Sequence, residues 1–488
     1  MFEKVNKFQC DLIEQANQNV AEAANQVDHT YRPDFHFVPP AFWINDPNGL
    51  VYYQGYYHIF YQHHPYSPEW GPMYWGHART KDFVNWEHLP IALAPSEDYD
   101  RDGCFSGSAI VADGKLHLFY TGHKVVGEDQ VEQVQCRAVS EDGITFVKDP
   151  ANPLIPSYPE AGSQDFRDPK VWRHADNWYM VLGTGKDGIG KALLYKSADL
   201  TKWNYVGVLA ESDGTQGYIW ECPDFFPLGD KYVLLYSPIG LGRRHVRYQI
   251  GEMDYNIGKF TAEYEDELDF GPDFYAVQSF SGTKRRIVLA WMDSWKRSKP
   301  SQKHNWAGAL TLPRELILQE GRIKSVPLKE LKALRQDGIH CHGLLLESGD
   351  EFCAPIVAEN GFEIYLQVDL ANTTANNWRI SIQDEQQVEM VLIGYDRTKR
   401  ELVLDTDQSG LGDKGVFKTT VPTEGSTFDL RVFLDRSSVE VFAEEGTRTL
   451  TARVYPTKEL APRITTSGGN LALNQLDIWP LAPFIIKR

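Results

Sequence analysis

Between Lys4 and Val27 the apolar residues Val5, Phe8, Leu12, Ile13, Ala16, Val20 and Ala24 recur at steps of three and four. That is the period of one face of an α-helix, and the Tyr31-Arg32-Pro33 break ends it. From residue 34 onward the helical period disappears. Short alternating runs rich in Val, Ile, Tyr, Phe and Trp, punctuated by Asp-Gly, Asn-Gly and Pro, predict many antiparallel strands.

Those strands repeat. A turn, an apolar pair and an aromatic-rich strand recur as Asn48-Gly49-Leu50-Val51 with Tyr57 to Tyr61, Gly107 to Ile110 with Leu116 to Tyr120, and Asp168 to Val171 with Trp178 to Val181. They recur again as Pro223 to Phe226 with Tyr232 to Tyr236, and more weakly as Asp273-Phe274-Tyr275 with Ile287 to Trp291. Each copy reads as a hairpin. A second signal follows the first four: a Ser/Thr-x-Asp or Asp turn leading to Trp86, Phe146, Trp203 and Phe260, which lie 60, 57 and 57 residues apart. Four strand signals per repeat of that length predict a β-propeller with about five blades over residues 33–326.

From Pro327 the strands continue without the period: Phe362 to Val368, Trp378 to Ile382, Val388 to Ile393, Glu401 to Leu404, Phe428 to Leu434, Val439 to Phe442, Thr447 to Val454 and Leu471 to Ile478. They predict a β-sandwich over 327–488, joined through a short helix or linker at Leu328 to Leu334. The expected fold is therefore all-β: a five-bladed β-propeller, a C-terminal β-sandwich and a short N-terminal helical extension, residues 1–32.

Composition narrows the function classes. The chain has 488 residues, 67 acidic against 49 basic, for a net charge of −18, which disfavours nucleic acid as a partner. Nothing approaches the apolar run of a membrane span or a signal peptide, and six scattered cysteines form no CxxC pair. The expectation is a cytoplasmic protein without disulfides, zinc or a membrane partner, acting as a monomer or homodimer. The sequon at Asn372 to Thr374 then carries no meaning. Aromatic residues make up 12% of the chain, more than core packing usually needs and common where flat rings face sugars.

In a propeller the innermost strands run beside the axis, so polar residues near their starts converge at one mouth. Here these are Asp46, Ser106, Asp168, Glu221 and, in the weaker fifth unit, Asp273, spaced 60, 62, 53 and 52 residues apart. Crowded carboxylates repel one another and raise the pKa of at least one of them. Such a ring suits either a cation such as calcium or the divided acid and nucleophile roles of glycosidic cleavage. Trp43, Trp70, Trp75, Phe105, Trp220 and Trp291 are candidate sugar platforms, and Asn45, Gln62, Arg167 and His77 are candidates for fixing hydroxyls. Taken singly, each has a plain structural explanation. Asn45 to Gly49 is a tight-turn sequence, and His36, His58, His63, His64 and His77 are spaced too irregularly for a metal site. The phase of the acids favours chemistry.

Trp43-Ile44-Asn45-Asp46-Pro47-Asn48-Gly49, Phe105-Ser106-Gly107-Ser108, Phe166-Arg167-Asp168-Pro169 and Trp220-Glu221-Cys222-Pro223 together resemble glycoside hydrolase family 32. The resemblance covers nearly the whole chain and is closest to the bacterial sucrose-6-phosphate hydrolases and invertases (β-fructofuranosidases). It implies that Asp46 is the nucleophile, Glu221 the general acid/base and Asp168 the transition-state stabiliser. It also implies that Asn45, Gln62, Trp70, Phe105, Ser106, Arg167 and Trp291 line a fructosyl pocket, with no cofactor and no metal. Ile44 and Val277 depart from the family's common Met and Pro, which bears on pocket shape only. The implied reaction is retaining cleavage of the fructosyl bond of sucrose, sucrose 6-phosphate or short fructans, with the two reacting carboxyls about 5–5.5 Å apart. Fructosyl transfer, exo-acting fructan hydrolysis and non-catalytic fructan binding are the alternatives. A phosphate on the substrate would call on Arg243, Arg244, His245 and Arg247, or on Lys296, Arg297, Lys299 and Lys303.

Overall fold

The computed structural model describes residues 6–243, 245–354, 361–423 and 425–487. The one α-helix among the described residues is Lys7–Ala24, capped by the Asn6 side chain, which accepts the Phe8 N–H. Ala16, Val20, Ala23 and Ala24 face inward, and the helix packs on the strand Asn85–Leu93. Phe8 belongs to the apolar period but is exposed, while its neighbour Gln9 is buried and donates to the Phe146 carbonyl at 3.0 Å.

Five four-stranded antiparallel units follow. The first four take their strands in chain order: Phe42–Tyr53, Tyr56–His64, Tyr74–Thr80 and Asn85–Leu93; Gly103–Ala112, Lys115–Gly127, Gln130–Ser140 and Val147–Lys148; Phe166–His174, Asn177–Lys186, Ile189–Ser197 and Asn204–Glu211; Ile219–Leu228, Lys231–Ile239, Arg247–Asp254 and Lys259–Glu267. The fifth unit pairs Tyr275–Ser279, Arg286–Trp291, Arg314–Gln319 and Arg322–Pro327, with residues 292–313 inserted between its second and third strands. The first strand of each unit contacts the first strand of the next, and Tyr275–Ser279 contacts Phe42–Tyr53.

The recurring turn before each outer strand has one physical cause. Asp82, Asp142 and Asp199 each accept two backbone N–H groups two and three residues ahead, while Thr80, Ser140 and Ser197 hold the same turn from the other side. The aromatic that follows each turn stands at or just before the start of the outermost strand, and Trp86, Phe146 and Phe260 are buried. The outer edge of the first unit is closed by Ile485–Lys487, which pairs in parallel with Asn85–Glu87.

Lys329–Leu334 forms a 3-10 helix that leads into two six-stranded antiparallel sheets. Their facing side chains, among them Ile364, Leu366, Trp378, Ile380, Ile393, Leu404, Val432, Leu450, Ile464 and Leu476, form one core. Four of these strands were not foreseen from the pattern: Ile339–Leu346, Glu351–Cys353, Val416–Thr420 and Ala461–Ser467. This second module meets the first through a buried polar network. The His36 ring bonds Asp435 at 2.8 Å and Glu440 at 2.9 Å, and the Arg314 guanidinium bridges Glu440 and Asp269.

Candidate active site

Every first strand carries a register shift near its start: between Ile44 and Pro47, Phe105 and Gly107, Arg167 and Lys170, Glu221 and Asp224, and Tyr275 and Gln278. Such bulges bend a strand and re-aim its side chains. At three of them the backbone takes a left-handed conformation that non-glycine residues rarely adopt: Asp168 at φ 65°, Cys222 at 48° and Ala276 at 52°. In the second unit Gly107 is required by contact, since a Cβ there would lie 2.0 Å from the Phe119 carbonyl oxygen.

The bulges turn Asp46, Asp168 and Glu221 into one pocket of about 440 Å³, lined also by Asn45, Gln62, Trp70, Phe105, Ser106 and Arg167. Nine of the ten residues expected at the site therefore meet there. Asp46 accepts the Asn45 amide at 3.0 Å, the Ser106 hydroxyl at 2.6 Å and the Cys222 thiol at 3.5 Å. Asn45 is itself held by the Trp43 indole N–H at 2.7 Å. The Asp168 carboxylate accepts the Cys222 N–H at 2.8 Å. Glu221 accepts the Tyr275 hydroxyl at 2.6 Å and the Arg167 guanidinium at 3.1 and 3.3 Å. Arg167 is braced by Asp165 at 2.8 Å and Gln133 at 3.1 Å.

Burial dominates the electrostatics. It raises Asp46 above the usual carboxylate range against the pull of its hydrogen bonds. Asp168 is pushed up to about 7 by burial, opposed by the Arg167 charge and reinforced by Glu221 and Asp46. Four carboxyls, Asp46, Asp165, Asp168 and Glu221, and one arginine share the pocket.

Trp291 does not line the pocket: it is fully buried and meets the wall residue Trp295 edge-on at 5.1 Å. Its strand points the residue into the cluster with Trp43, Tyr275 and Ala307. Trp43, Trp75 and Trp220, also candidate platforms, are likewise buried. Trp75 donates to the Phe105 carbonyl and Trp220 to that of Gln216, the ordinary fate of an interior indole. Asp273 does not reach the mouth. It precedes its strand, pairs with Arg297 at 2.9 Å and accepts the Arg453 N–H of the second module; Tyr275 takes the fifth unit's place at the site. His77 is buried against His58 and Phe60 rather than the pocket.

Five wall residues escaped the sequence reading: His123, Val131, Gln133, Asp165 and Trp295. His123 and Gln133 lie on second and third strands, where no phase marked them. Trp295 lies in the inserted segment, four residues past Trp291. Among the described residues no group of three or more His, Cys, Asp and Glu side chains is arranged to hold a metal ion. Nor is any helix long and apolar enough to cross a membrane.

Residues 36–327 match the N-terminal domain of the glycosyl hydrolases family 32, and residues 330–480 match the family's C-terminal domain. The chain belongs to glycosyl hydrolase family 32. Within this family it is 39% identical to a sucrose-6-phosphate hydrolase of Escherichia coli, over 96% of this chain and 98% of that one. It is 40% identical to the raffinose invertase of Escherichia coli, over 88% and 90% of the two chains. A mutant of the Bombyx mori GH32 beta-fructofuranosidase solved in complex with sucrose superposes with a TM-score of 0.84, at 34% identity, over 97% of this chain and 99% of that one.

Proposed function

We propose that this family 32 chain is a retaining β-fructofuranosidase that hydrolyses the fructosyl bond of sucrose and of sucrose 6-phosphate. The observation that carries the reading is the convergence of Asp46, Asp168 and Glu221, each on a bulged first strand, on one pocket with Arg167. The anomeric carbon of a fructofuranoside is a tertiary centre, so its bond breaks through an oxocarbenium-like state that flanking carboxylates stabilise. Asp46, held by Asn45 and Ser106, attacks that carbon and forms a covalent fructosyl-enzyme. Glu221 gives its proton to the departing glucosyl oxygen and then takes one from the attacking water, while Asp168 faces the developing charge. Asn45, Gln62, Trp70, Phe105, Ser106 and Arg167 bind the fructosyl ring, with Trp295 in the wall place expected of Trp291.

Of the basic clusters that a substrate phosphate would call on, five of the seven described residues are in ion pairs, and the exposed Lys296 and Lys303 are not. Arg243 pairs with Glu267, Arg247 with Glu265, Arg297 with Asp273 and Lys299 with Asp293; Arg244 lies outside the described residues. The two sugars are therefore expected to be cleaved at kcat/KM values within about tenfold, a difference of about 1.4 kcal/mol. We further read the five sheets as a five-bladed propeller over 33–326 and the paired six-stranded sheets as a β-sandwich over 327–488, after a helical extension over 1–32. Six free cysteines fit a reducing, cytoplasmic setting. The test is fructose release from both sugars by the purified protein. Glu221→Gln should lose roughly a hundred- to ten-thousand-fold in kcat, and Asp46→Ala at least as much. An Asp46→Ala protein that hydrolysed sucrose at near the wild-type rate would sink the mechanism.

A further inference from the structure

Trp295 sits on the stretch 292–299, which forms neither strand nor helix, at the start of the segment inserted between two strands of the fifth unit, yet it holds a defined place in the pocket wall. Its ring stacks on Trp43 at 6.0 Å, meets Trp291 edge-on at 5.1 Å and approaches Trp70 edge-on at 6.5 Å. Within the segment, Lys299 Nζ donates to the carbonyls of Ser294 at 2.9 Å and Arg297 at 3.0 Å, which folds 294–299 into a tight loop. Such a loop has no ladder to fix it and needs outside anchors to order a half-exposed ring.

One set of anchors comes from the second module. Asp413 lies in the hairpin between Glu401–Gln408 and Val416–Thr420, and that hairpin is tied to its own module by the Leu411 N–H bonding the Tyr455 carbonyl at 2.8 Å. One Asp413 carboxylate oxygen accepts the Ser298 N–H at 2.8 Å and the other accepts the Ser298 hydroxyl at 3.0 Å. The Asp413 carbonyl accepts from Arg297 at 3.1 Å, and Arg297 also pairs with Asp273 at 2.9 Å. Three bonds thus run from one residue of the second module to two adjacent residues of the loop.

We propose that Asp413 is a positioning residue for substrate binding: it straps Arg297 and Ser298 so that Trp295 is held as a wall of the pocket. This gives the second module a direct part in sugar recognition, acting through a residue outside it. The ligand class is the sugar itself, whose C–H face an indole takes by flat apolar contact. The kinetic half of the proposal rests on the fructosidase reading; its structural half does not.

Two measurements test it on the full-length protein. Hydrogen exchange at the Ser298 amide and across 293–299 should be at least about tenfold faster in Asp413→Ala than in wild type, as expected when a charge-assisted bond to an amide is lost. In sucrose hydrolysis, Asp413→Ala should raise KM about fivefold, the scale of one aromatic contact, and change kcat less than twofold. Asp413→Asn, which keeps one acceptor oxygen, should fall between. Trp295→Ala should raise KM at least as much, and adding Asp413→Ala to it should change KM no further. Unchanged exchange, an unchanged KM beside faster exchange, or additive KM effects in the double variant would each overturn the proposal. A wild-type protein that released no fructose would overturn the fructosidase reading instead, with the exchange result still deciding the strap.

Discussion

Replacing Asp168 by Asn should make the protein more stable and nearly inactive at once. In the unfolded chain this carboxyl ionises near its ordinary value of 3.8; in the folded pocket burial carries it to about 7. A folded pKa above the unfolded one gives stability that is whole below pH 3.8, falls as pH rises and levels off above about 7. Three units at 1.36 kcal/mol each make about 4 kcal/mol of native-state cost at pH 8. Asn removes the charge and keeps an oxygen for the Cys222 N–H, now 2.8 Å from the carboxylate. The Arg167 attraction is already contained in that folded value, so the net gain is about 4 kcal/mol, or several degrees in Tm. Scanning calorimetry of both proteins from pH 4 to pH 8 measures it. The Tm of Asp168→Asn should match wild type near pH 4 and exceed it increasingly up to pH 7, while fructose release collapses throughout. A Tm difference that stays flat across that range, or a variant less stable at pH 8 than at pH 4 relative to wild type, would refute the reasoning.

Ser106→Ala removes the 2.6 Å bond to Asp46 and should lower kcat/KM for sucrose about tenfold, measured as initial rates of fructose release. His36 bonds a carboxylate through each ring nitrogen, so it is held as the imidazolium, with its pKa raised by Asp435 and Glu440 against the burial that would lower it. Its contribution is complete below about pH 6.5 and is lost as pH rises through the folded value. The Tm advantage of wild type over His36→Gln should therefore shrink between pH 6 and pH 9, and an advantage that grew over that range would disprove the paired state. Gly107→Ala should destabilise the second unit by about 1–3 kcal/mol, since its methyl would press on the Phe119 carbonyl; thermal unfolding reads this directly.

Two independent periodicities made the first module legible. The Asp-turn and aromatic pair marked the outer strands of four units, and the polar residue near each strand start marked the inner ones, because both features answer to backbone geometry that each unit must repeat. The fifth unit broke the phase for a visible reason: residues 292–313 separate its halves, and Asp273 is drawn off to Arg297 and Arg453. The second module showed eight of its twelve strands. Val416–Thr420 and Ala461–Ser467 were missed because their Lys, Thr, Arg and Pro blur the alternation at sheet positions that leave one face open. Aromatic excess misled in one respect. A tryptophan next to a catalytic motif is more often the wall behind the site than its surface, as Trp43, Trp75, Trp220 and Trp291 show.

The same bulges explain why the acids could be found by phase and why the site costs stability. A regular first strand would alternate its side chains between the two faces of its sheet. Inserting one residue near the start of each strand turns Asp46, Asp168 and Glu221 to the pocket together, at the expense of left-handed backbone at Asp168 and Cys222. Cys222 then repays part of that strain by doing two things a regular strand residue cannot. Its N–H turns to Asp168 at 2.8 Å and its thiol to Asp46 at 3.5 Å, so one strained residue beside Glu221 ties all three acids together. The strained backbone and the raised carboxyls are thus one device, because relaxing either would let the acids part.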